Sequence, residues 1–451
     1  MAAWQTVALR EVVEINPRPD RASLSDDSLA SFIPMRCVEE ENGRFEPLGD
    51  RKVSEVSKGY TPFRDGDVLF AKVTPCMENG KAAVVKGLTN GVGFGSTEFF
   101  ALRPKDNLDP YYLLHFILQT SFRRDAARNM TGAVGLRRVP KSYLEQQLIP
   151  LPSLPEQRRI VAEIEKQFTR LEAGVAALRR VRANLKRYRA AVLKAACEGR
   201  LVPTEAEIAK AEKRKFEAGE ELLKRILAER RQQRTGRGQN KEPAAPDTAN
   251  LPPLPEGWTW ASADQLSSQI TDGEHIQPRY TSEGFPMLSA KHVRDGFVIF
   301  TEVPFISEKD FQLCLRRCAP KCDDILIVCV GATTGRAAIV GDAEPFAVVR
   351  SVLLIRSLIH PRFMLAWVRS PWCQTWIQSA SGSSAQAHFY IRNAKSMAVP
   401  LPPLAEQTRI VAEVERRLSV VEELEAVVSA NLQRTTRFRQ SILHRAFSGS
   451  S

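Results

Sequence analysis

Two segments of the chain combine basic side chains with small residues. The segment at 123–143, RRDAARNMTGAVGLRRVPKSY, holds six Lys or Arg against one Asp. The segment at 379–396, SASGSSAQAHFYIRNAKS, offers histidine, tyrosine, arginine and lysine. Basic and amide side chains bond phosphates and base edges, and small residues let a backbone approach a phosphate closely. The pattern favours DNA contact, and a solvated loop leading into a long helix is the alternative for any single residue.

Two apolar runs lead into loops that extend the same chemistry. GDVLFAKVTPCMENGKAAVV at 66–85 parallels DDILIVCVGATTGRAAIV at 323–340, and each predicts a strand, a glycine-containing loop and a second strand. The frame is shared, while the loops differ in length and content. Together with the basic segments, these regions supply eleven of the residues that we expect to contact DNA: Lys72, Thr74, Lys81, Arg137, Arg138, Lys141, Arg336, His388, Tyr390, Arg392 and Lys395. The twelfth is Lys291, which lies between them in the second half of the chain.

Motifs for catalysis within this chain are missing. GATTGR at 331–336 lacks the length and the Lys-Ser/Thr pair of a phosphate-binding loop. GVGFGS at 91–96 lacks the preceding strand and the acidic partner of a dinucleotide or S-adenosylmethionine loop. The sequence contains no Asn-Pro-Pro-aromatic tetrapeptide for amino methylation, no H-x-x-x-H pair and no G-x-S-x-G elbow. These absences favour a binding protein without its own cofactor, while a Ser/His/Asp site assembled from distant residues stays open.

The composition is that of a globular chain in a reducing compartment. The sequence has no run of about 18 apolar residues, and its first residues lack the apolar core of a signal peptide. We therefore expect a cytoplasmic protein without a membrane partner, whose eight cysteines are free thiols. Cys314, Cys318 and Cys322 are clustered, but their C-x3-C-x3-C spacing and the lack of a nearby histidine favour ordinary thiols over a metal site.

The net charge of +12 is concentrated in one part of the chain. Residues 179–241 hold 19 Lys or Arg and 8 Asp or Glu. A basic segment beside nearly neutral regions can attract a polyanion over roughly a Debye length. A solvated helix and linker explain the charge more simply, and charge alone favours that interpretation.

The sequence repeats itself at an offset of 250 residues. PLPSLPEQRRIVAEIE at 150–165 returns as PLPPLAEQTRIVAEVE at 400–415, and 12 of the 19 positions from Pro150 to Phe168 are identical to their counterparts. Solenoid repeats are only about 20–50 residues long. The longer period indicates a duplicated half-molecule, and two copies of one module suggest a bipartite target.

Each copy of the repeated motif opens a long amphipathic helix. The first is predicted over 152–199, with Ser153 as its cap and Gly199 as its stop, and Gly449 stops the second in the same way. Apolar residues recur every seven positions, and an antiparallel pair of the two copies would bury both stripes. We expect coiled-coil contacts or partner docking from Glu156, Gln157, Ile160, Ile164, Leu171, Leu178, Leu185, Glu406, Gln407, Ile410, Val414, Val421 and Val428.

The elements predict an α+β protein with a duplicated, pseudo-two-fold architecture. Two similar α+β domains would be separated by a long antiparallel two-helix coiled coil. The expected boundaries are a first domain at 1–150, a first helical region at 151–200, a charged helical segment and linker at 201–255, a second domain at 256–400 and a second helical region at 401–451.

The motif LPxLxEQxRIVxEVE, present twice, resembles the specificity subunit of type I restriction-modification systems. The resemblance covers nearly the whole chain and includes the G-D-V-L-F strand at 66–70 and the Leu-Pro-Glu-Gly-Trp entry at 254–258. It implies that the two α+β domains are target recognition domains, each reading one half of a split double-stranded DNA sequence. It also implies that the coiled coil sets the gap between the halves. Because the loops of the two domains differ, we expect an asymmetric target.

The resemblance further implies the partners of the chain. Two methyltransferase (M) subunits would bring S-adenosylmethionine and methylate adenine, and motor-nuclease (R) subunits that use ATP and Mg would join them for restriction. The chain itself would be non-catalytic. The alternatives are an orphan bipartite DNA-binding regulator, a coiled-coil scaffold without methyltransferase partners, and a fused enzyme, against which the missing motifs weigh.

Overall fold

The chain divides into two compact units. Unit 1 comprises Met1–Arg180 and Val428–Ser451, and unit 2 comprises Val181–Val427. Both units mix small sheets with short helices, and the predicted α+β class with a duplicated architecture is confirmed. The computed structural model describes residues 4–17, 25–133, 135–233, 242–275, 278–382 and 388–448.

In the described part of unit 1 the strands form three sheets, with orders β1-β10, β2-β9-β6-β7 and β4-β3-β8-β5. The pair β3 and β8 is parallel. Its elements, up to the long helix that continues into unit 2, are β1 (Thr6–Ala8), α1 (Leu9–Val12), β2 (Val13–Ile15), β3 (Leu29–Ile33), β4 (Asp50–Lys52), α2 (Val53–Val56), β5 (Thr61–Arg64), β6 (Val68–Ala71), β7 (Ala82–Val84), β8 (Val92–Gly95), β9 (Phe99–Pro104), α3 (Pro110–Ile117), α4 (Thr120–Arg128), α5 (Lys141–Gln146), β10 (Leu148–Pro150) and α6 (Leu154–Cys197).

Unit 2 has sheets with strand orders β11-β20, β12-β19-β16-β17 and β13-β15-β14-β18. Its elements, ending with the helix that returns to unit 1, are α7 (Glu205–Glu212), α8 (Gly219–Gln233), β11 (Thr259–Ser262), β12 (Ser267–Asp272), β13 (Tyr280–Thr281), β14 (Phe285–Leu288), β15 (Phe305–Ile306), α9 (Glu308–Arg317), β16 (Ile325–Val328), β17 (Ala337–Ile339), β18 (Ala347–Val348), β19 (Val352–Ser357), α10 (Pro361–Arg369), α11 (Pro371–Ala380), α12 (Ile391–Ser396), β20 (Ala398–Leu401) and α13 (Leu404–Phe447).

The duplication is visible in the order of the elements. The sheet β2-β9-β6-β7 returns as β12-β19-β16-β17, and the helices α3, α4 and α5 return as α10, α11 and α12. All four residues of β6 and of β16 are buried. Strands covered on both faces are apolar at every position instead of alternating, which explains the continuous apolar runs in the sequence.

One buried ion pair also recurs in the two units. In unit 1, Arg103 on β9 donates to both carboxylate oxygens of Asp67, at 2.8 and 2.9 Å. In unit 2, Arg356 on β19 donates to both oxygens of Asp324, at 2.9 and 2.7 Å. Asp67 immediately precedes the central strand β6, and Asp324 immediately precedes the central strand β16. Both carboxylates are nearly inaccessible to solvent. The bidentate pairs therefore tie the central strand to its neighbour.

The two long helices run antiparallel inside each unit. In unit 1, Phe168 from the first half of α6 shares a core with Ile442 from the end of α13. In unit 2, Val192 from the end of α6 shares a core with Val414 from the start of α13. Helix α6 ends at Cys197, two residues before Gly199, whose φ of +65° glycine adopts without strain. The other predicted stop, Gly449, lies outside the described residues.

Two helical stretches are interrupted in the structure. Residues 110–128 form the two helices α3 and α4, because Gln119 has an extended backbone. The charged helical segment expected within 201–255 contains the two helices α7 and α8, because α7 ends at Lys213 with a left-handed backbone at φ 54°. Residues 234–241 of the predicted linker lie outside the described residues.

Candidate nucleic-acid interface

The end of β6 places two candidate residues of unit 1 beside the basic segment. Val73 forms a bridge with Arg138. On either side of the bridge, the N–H of Thr74 donates to the carbonyl of Arg137 at 3.0 Å, and the N–H of Val139 donates to the carbonyl of Lys72 at 2.8 Å. Two adjacent extended segments therefore carry the side chains of Lys72, Thr74, Arg137 and Arg138.

The two arginines of this segment are already paired with acids. Arg138 donates to both carboxylate oxygens of Glu98, at 2.6 and 2.9 Å, and Arg137 lies 3.7 Å from the carboxylate of Glu78. The hydrogen bond from Arg138 lowers the pKa of Glu98. Both guanidinium groups remain nearly half exposed. Exposed pairs of this kind contribute little to stability, about 0–1 kcal/mol, so the arginines can exchange a carboxylate for a phosphate or base at low cost.

The other two candidates of unit 1 differ in their surroundings. The N–H of Lys81 closes the loop after β6 by donating to the carbonyl of Cys76, and its ammonium group lies 3.4 Å from the carbonyl of Met35. Lys141 begins α5 and lies 3.5 Å from Glu145 on the same helix. Lys81 is thus partly held against the protein, whereas Lys141 is exposed beside the Arg137–Val139 segment.

Unit 2 repeats the frame with different side chains. Val330, which follows β16, forms a bridge with His388, and the N–H of Phe389 donates to the carbonyl of Cys329 at 2.8 Å. The ring centroid of His388 lies 4.1 Å from that of Tyr390, and the guanidinium of Arg392 lies 4.9 Å from the same Tyr390 ring. The structure therefore brings these three predicted residues together. The preceding residues 383–387 of the segment lie outside the described residues.

The remaining candidates of unit 2 are less closely grouped. Arg336 closes the loop after β16, since its carbonyl accepts a hydrogen bond from the N–H of Val328 at 2.8 Å. Lys395 on α12 lies 3.8 Å from Asp264. Lys291 is in a short turn at 290–292, and its ammonium group lies 3.4 Å from the carbonyl of Glu302.

The predicted helix residues include two matched buried glutamines. The side-chain oxygen of Gln157 accepts the N–H of Asp109 at 2.8 Å, and that of Gln407 accepts the N–H of His360 at 3.0 Å. Asp109 and His360 immediately precede α3 and α10. Each glutamine therefore joins its long helix to the globular part of its unit, using a bond within this chain.

The apolar members of the predicted set lie along the seam. Most are buried in the core of their unit, while Leu171 and Leu178 are partly exposed. The buried members are Ile160, Ile164, Leu185, Ile410, Val414, Val421 and Val428.

The matching glutamates Glu156 and Glu406 have unlike surroundings. Glu156 is partly exposed, and its carboxylate accepts two hydrogen bonds from Arg159, at 2.8 and 2.9 Å. Glu406 is fully buried and accepts hydrogen bonds from the indole N–H of Trp258 and the backbone N–H of Glu205. Burial raises the pKa of the Glu406 carboxyl.

The three clustered cysteines differ in their exposure. Cys314 and Cys318 are buried and Cys322 is exposed, and burial raises the pKa of Cys318 to about 12. Within the described ranges, no group of three or more His, Cys, Asp or Glu is placed to hold a metal ion. No helix in the same ranges is long and apolar enough to cross a bilayer.

Residues 1–177 match the family model described as "Type I restriction modification DNA specificity domain". The chain is 26% identical to the type I restriction enzyme EcoAI specificity subunit of Escherichia coli, covering 95% of this chain and 80% of that protein. It is 25% identical to the EcoEI specificity subunit of Escherichia coli, covering 94% and 79%. The chain is therefore similar to type I restriction specificity subunits over most of its length.

Two solved structures are similar to this chain in fold. A chain from a structure on the complex assembly and conformational transition of the type I R-M system aligns over 100% of this chain and 98% of its own length, with a TM-score of 0.69 and 22% identity. The HsdS subunit from Thermoanaerobacter tengcongensis aligns over 100% and 97%, with a TM-score of 0.52 and 21% identity.

Several residues that shape this candidate interface were not identified from the sequence. Glu98 neutralises Arg138 from 40 positions away. Buried Arg123 donates to the carbonyl of Glu78 at 2.7 Å and to the carboxylate of Glu41, so it holds the segment that carries the partner of Arg137. The sequence does carry a signal for a different long-range pair. Asp67 and Arg103 reappear as Asp324 and Arg356 in the aligned runs of the two halves.

Proposed function

We propose that this chain reads a bipartite, asymmetric, gapped DNA site for a type I restriction-modification complex, with one half-site read by each unit. The observation that carries the proposal is the pair of matched bridges, Val73 with Arg138 and Val330 with His388. The same backbone frame presents unlike side chains, so two similar units would read unlike sequences.

The side chains at these positions have the chemistry of base readout. Arginine bonds guanine through two parallel hydrogen bonds in the major groove, and polar or aromatic side chains select other edges or stack on bases. In unit 1 the expected contacts are Arg137 and Arg138, with Lys72, Thr74, Lys81 and Lys141 beside them. In unit 2 they are His388, Tyr390 and Arg392, with Arg336, Lys395 and Lys291. Lysines at such positions contact phosphates and position the protein without selecting a sequence.

We further propose that the chain is the non-catalytic member of the complex. Two methyltransferase subunits would supply S-adenosylmethionine and adenine methylation, and motor-nuclease subunits would supply ATP- and Mg-dependent restriction. The relatives are named as specificity subunits, which supports this division of roles. The long helices would set the distance between the half-sites, because half-site spacing follows from a rigid connection between two readers.

Partner docking on the helices would use their exposed surface. Gln157, Gln407 and Glu406 are buried inside this chain, so their exposed neighbours would face a partner. The second half of α6 and the charged segment after it remain rich in exposed arginine and lysine, which suits an acidic partner or a phosphate backbone.

The test is a methylome. The chain is co-expressed with its methyltransferase partner in a host without adenine methylation, and the DNA is sequenced for N6-methyladenine. We expect one gapped motif with two different halves. A palindromic or contiguous motif would contradict the proposal. A chain that binds a bipartite site but supports no methylation would favour the orphan regulator, and a chain that shows no salt-dependent DNA binding in its complex would favour the scaffold.

A further inference from the structure

In unit 2, residues 201–233 form a strap that covers the start of α13. The strap contains α7 and α8, and it places Leu222 and Ile226 in the core of the unit, where both are buried. The approach is close: a Cβ atom at Gly219 would lie 2.2 Å from the carbonyl oxygen of Leu401. As a result, all four residues of β20 are buried.

The first turn of α7 carries the acid that anchors the strap. Glu205 is 3% exposed, and its carboxylate accepts hydrogen bonds from Arg409 at 2.7 Å and Arg214 at 2.5 Å. Its backbone N–H donates to Glu406 at 2.9 Å. Glu406 also accepts the indole N–H of Trp258 at 3.0 Å. The start of α7 thus supplies an N–H group to the buried carboxylate of Glu406 and a carboxylate to Arg409.

Unit 1 contains the same underlying surface. Thr6 pairs with Pro150 in unit 1, and Trp260 pairs with the repeat-equivalent Pro400 in unit 2. One tryptophan of each unit lies two residues before these positions. The 250-residue repeat aligns the glutamate and the arginine. The matching pairs are Trp4 with Trp258, Glu156 with Glu406 and Arg159 with Arg409.

No strap covers this surface within the described part of unit 1. Trp4 is partly exposed and Leu148 of β10 is 62% exposed. Glu156 and Arg159 bond each other at 2.8 Å, where their counterparts bond the strap. A groove of about 250 Å³ lies here, which we call the unit 1 groove. It is lined by Trp4, Arg159, Ile160, Phe438, Ser441 and Arg445 among others.

We propose that the unit 1 groove docks a helix of another protein chain whose first turn carries a carboxylate. Arg159 and Arg445 give the groove two cations for such an acid, and the strap shows which bonds would form. Arg159 would exchange Glu156 for the incoming carboxylate, as Arg409 binds Glu205. Glu156 would then accept a backbone N–H from the helix start, where such groups lack partners within the helix.

Docking at the unit 1 groove would affect the symmetry of assembly and is separate from DNA reading. The two units present matching surfaces, but unit 2 covers its own with the strap. A partner helix of this chemistry therefore docks at unit 1 alone, and one copy binds per chain.

The experiment uses the full-length chain and a synthetic peptide of its residues 199–233 as the probe, labelled with a fluorophore. The strap of unit 2 is tethered at a high effective concentration, so the free peptide is directed to the unit 1 groove. We expect saturable binding of one peptide per chain in fluorescence anisotropy. Arg159→Glu weakens this binding at least tenfold. Arg179→Glu, an equal charge change at an exposed position farther along the same helix, leaves it unchanged.

Two further measurements decide the mode of binding. A Glu205→Lys peptide binds the Arg159→Glu chain more tightly than the wild-type peptide does, because the ion pair is restored with its charges reversed. Equal loss in Arg159→Glu and Arg179→Glu, or no saturable binding, overturns the proposal. The second measurement is sedimentation of the unlabelled chain. A dimer that Arg159→Glu dissociates would identify the occupant of the groove as the strap of a second copy. That result would overturn docking of a different protein.

Discussion

Arg138 of unit 1 and His388 of unit 2 occupy matching bridges, but their surroundings are different. Arg138 is bonded to both oxygens of Glu98, whereas the ring of His388 lies tilted against that of Tyr390, with the centroids 4.1 Å apart. The bridges themselves involve only backbone atoms beside a buried strand. The bonds that hold the fold are therefore separate from the side chains that face outward, so one half can change its chemistry without changing its frame.

A second comparison concerns what covers the two units. The strap buries Glu406 in unit 2, while Glu156 of unit 1 is partly exposed beside Arg159. Residues that are equivalent in sequence are therefore structural in one unit and available in the other. A duplicated chain gains an asymmetric assembly surface in this way.

The largest expected effect is on the shared frame. Asp67→Ala leaves Arg103 charged and mostly buried without its partner, which costs about 3–5 kcal/mol of unfolding free energy in unit 1. Asp324→Ala should lower the unfolding free energy of unit 2 by a smaller amount. The side chain of Arg356 is 27% exposed and that of Arg103 is 17% exposed, so the unpaired charge of Arg356 is better solvated. Hydrogen exchange of the amides of β6 and β16 measures each unit separately.

The control for the frame is Lys52→Ala. Lys52 and Asp27 form an exposed pair in unit 1, and the change should cost no more than about 1 kcal/mol. If Asp67→Ala accelerated exchange equally in β6 and β16, the two units would not be energetically separate and the comparison would fail.

The next effect is on reading of the two half-sites. Arg137→Ala with Arg138→Ala should weaken binding on the order of ten- to hundredfold and relax selection in one half of the motif, because base contacts are lost there. His388→Ala with Arg392→Ala should do the same in the other half. The measurement is anisotropy with duplexes mutated in one half at a time. Equal relaxation of both halves by either variant would contradict the assignment of one half-site to each unit.

A smaller effect is expected at the matched glutamines. Gln157→Leu leaves the N–H of Asp109 unpaired, and Gln407→Leu leaves that of His360 unpaired, at a cost of about 1–3 kcal/mol each. The effect should be larger for Gln157, because its side chain also donates to the carbonyl of Asn107. Local hydrogen exchange at the starts of α3 and α10 tests this order. A reversed order would show that the two anchors are not equivalent.

The smallest effect should come from Glu98→Gln. Removing this carboxylate frees Arg138 for a phosphate, so the salt dependence of non-specific DNA binding should steepen by about one unit of log–log slope. Titrating salt with an unrelated duplex measures the slope. Asp27→Asn, which removes the partner of Lys52 outside the proposed contact set, is the matched control. An unchanged slope in Glu98→Gln would show that Arg138 does not reach a phosphate.

The pH dependence of the Glu98–Arg138 pair follows from the lowered pKa of Glu98, which its hydrogen bond with Arg138 causes. A carboxyl with a lowered pKa in the folded state contributes stability above its ordinary pKa and loses it as the pH falls through the lowered value. The pair should therefore be unchanged between about pH 6 and 8. A carboxyl signal of Glu98 that titrates in this range by NMR would contradict that.

The sequence was sufficient where the signal is local or repeated. The repeated motif located the long helices to within two residues of Leu154 and Cys197, since caps, stops and heptads are read from neighbouring positions. The apolar runs located β6 and β16 because both strands are buried on two faces. The resemblance carried by the same motif also agreed with the relatives to which the chain is similar.

What failed from the sequence depends on residues far apart in the chain. The predicted set contained Arg138 but not Glu98, because an ion pair across 40 positions leaves no periodic trace. It placed Gln157 and Gln407 on the helices, but their bonds to Asp109 and His360 depend on how each globular part packs on its helix.

The sequence by itself therefore determined the duplication, the long helices and the two buried strands β6 and β16. These features depend on the spacing and hydrophobicity of neighbouring residues. The tertiary structure alone decided which basic residues are paired, which of two matching glutamates is buried and which surface the strap covers. Burial and ion pairing are properties of distances between chain segments, and the same residue type at the same repeat position takes a different role when a different segment lies over it.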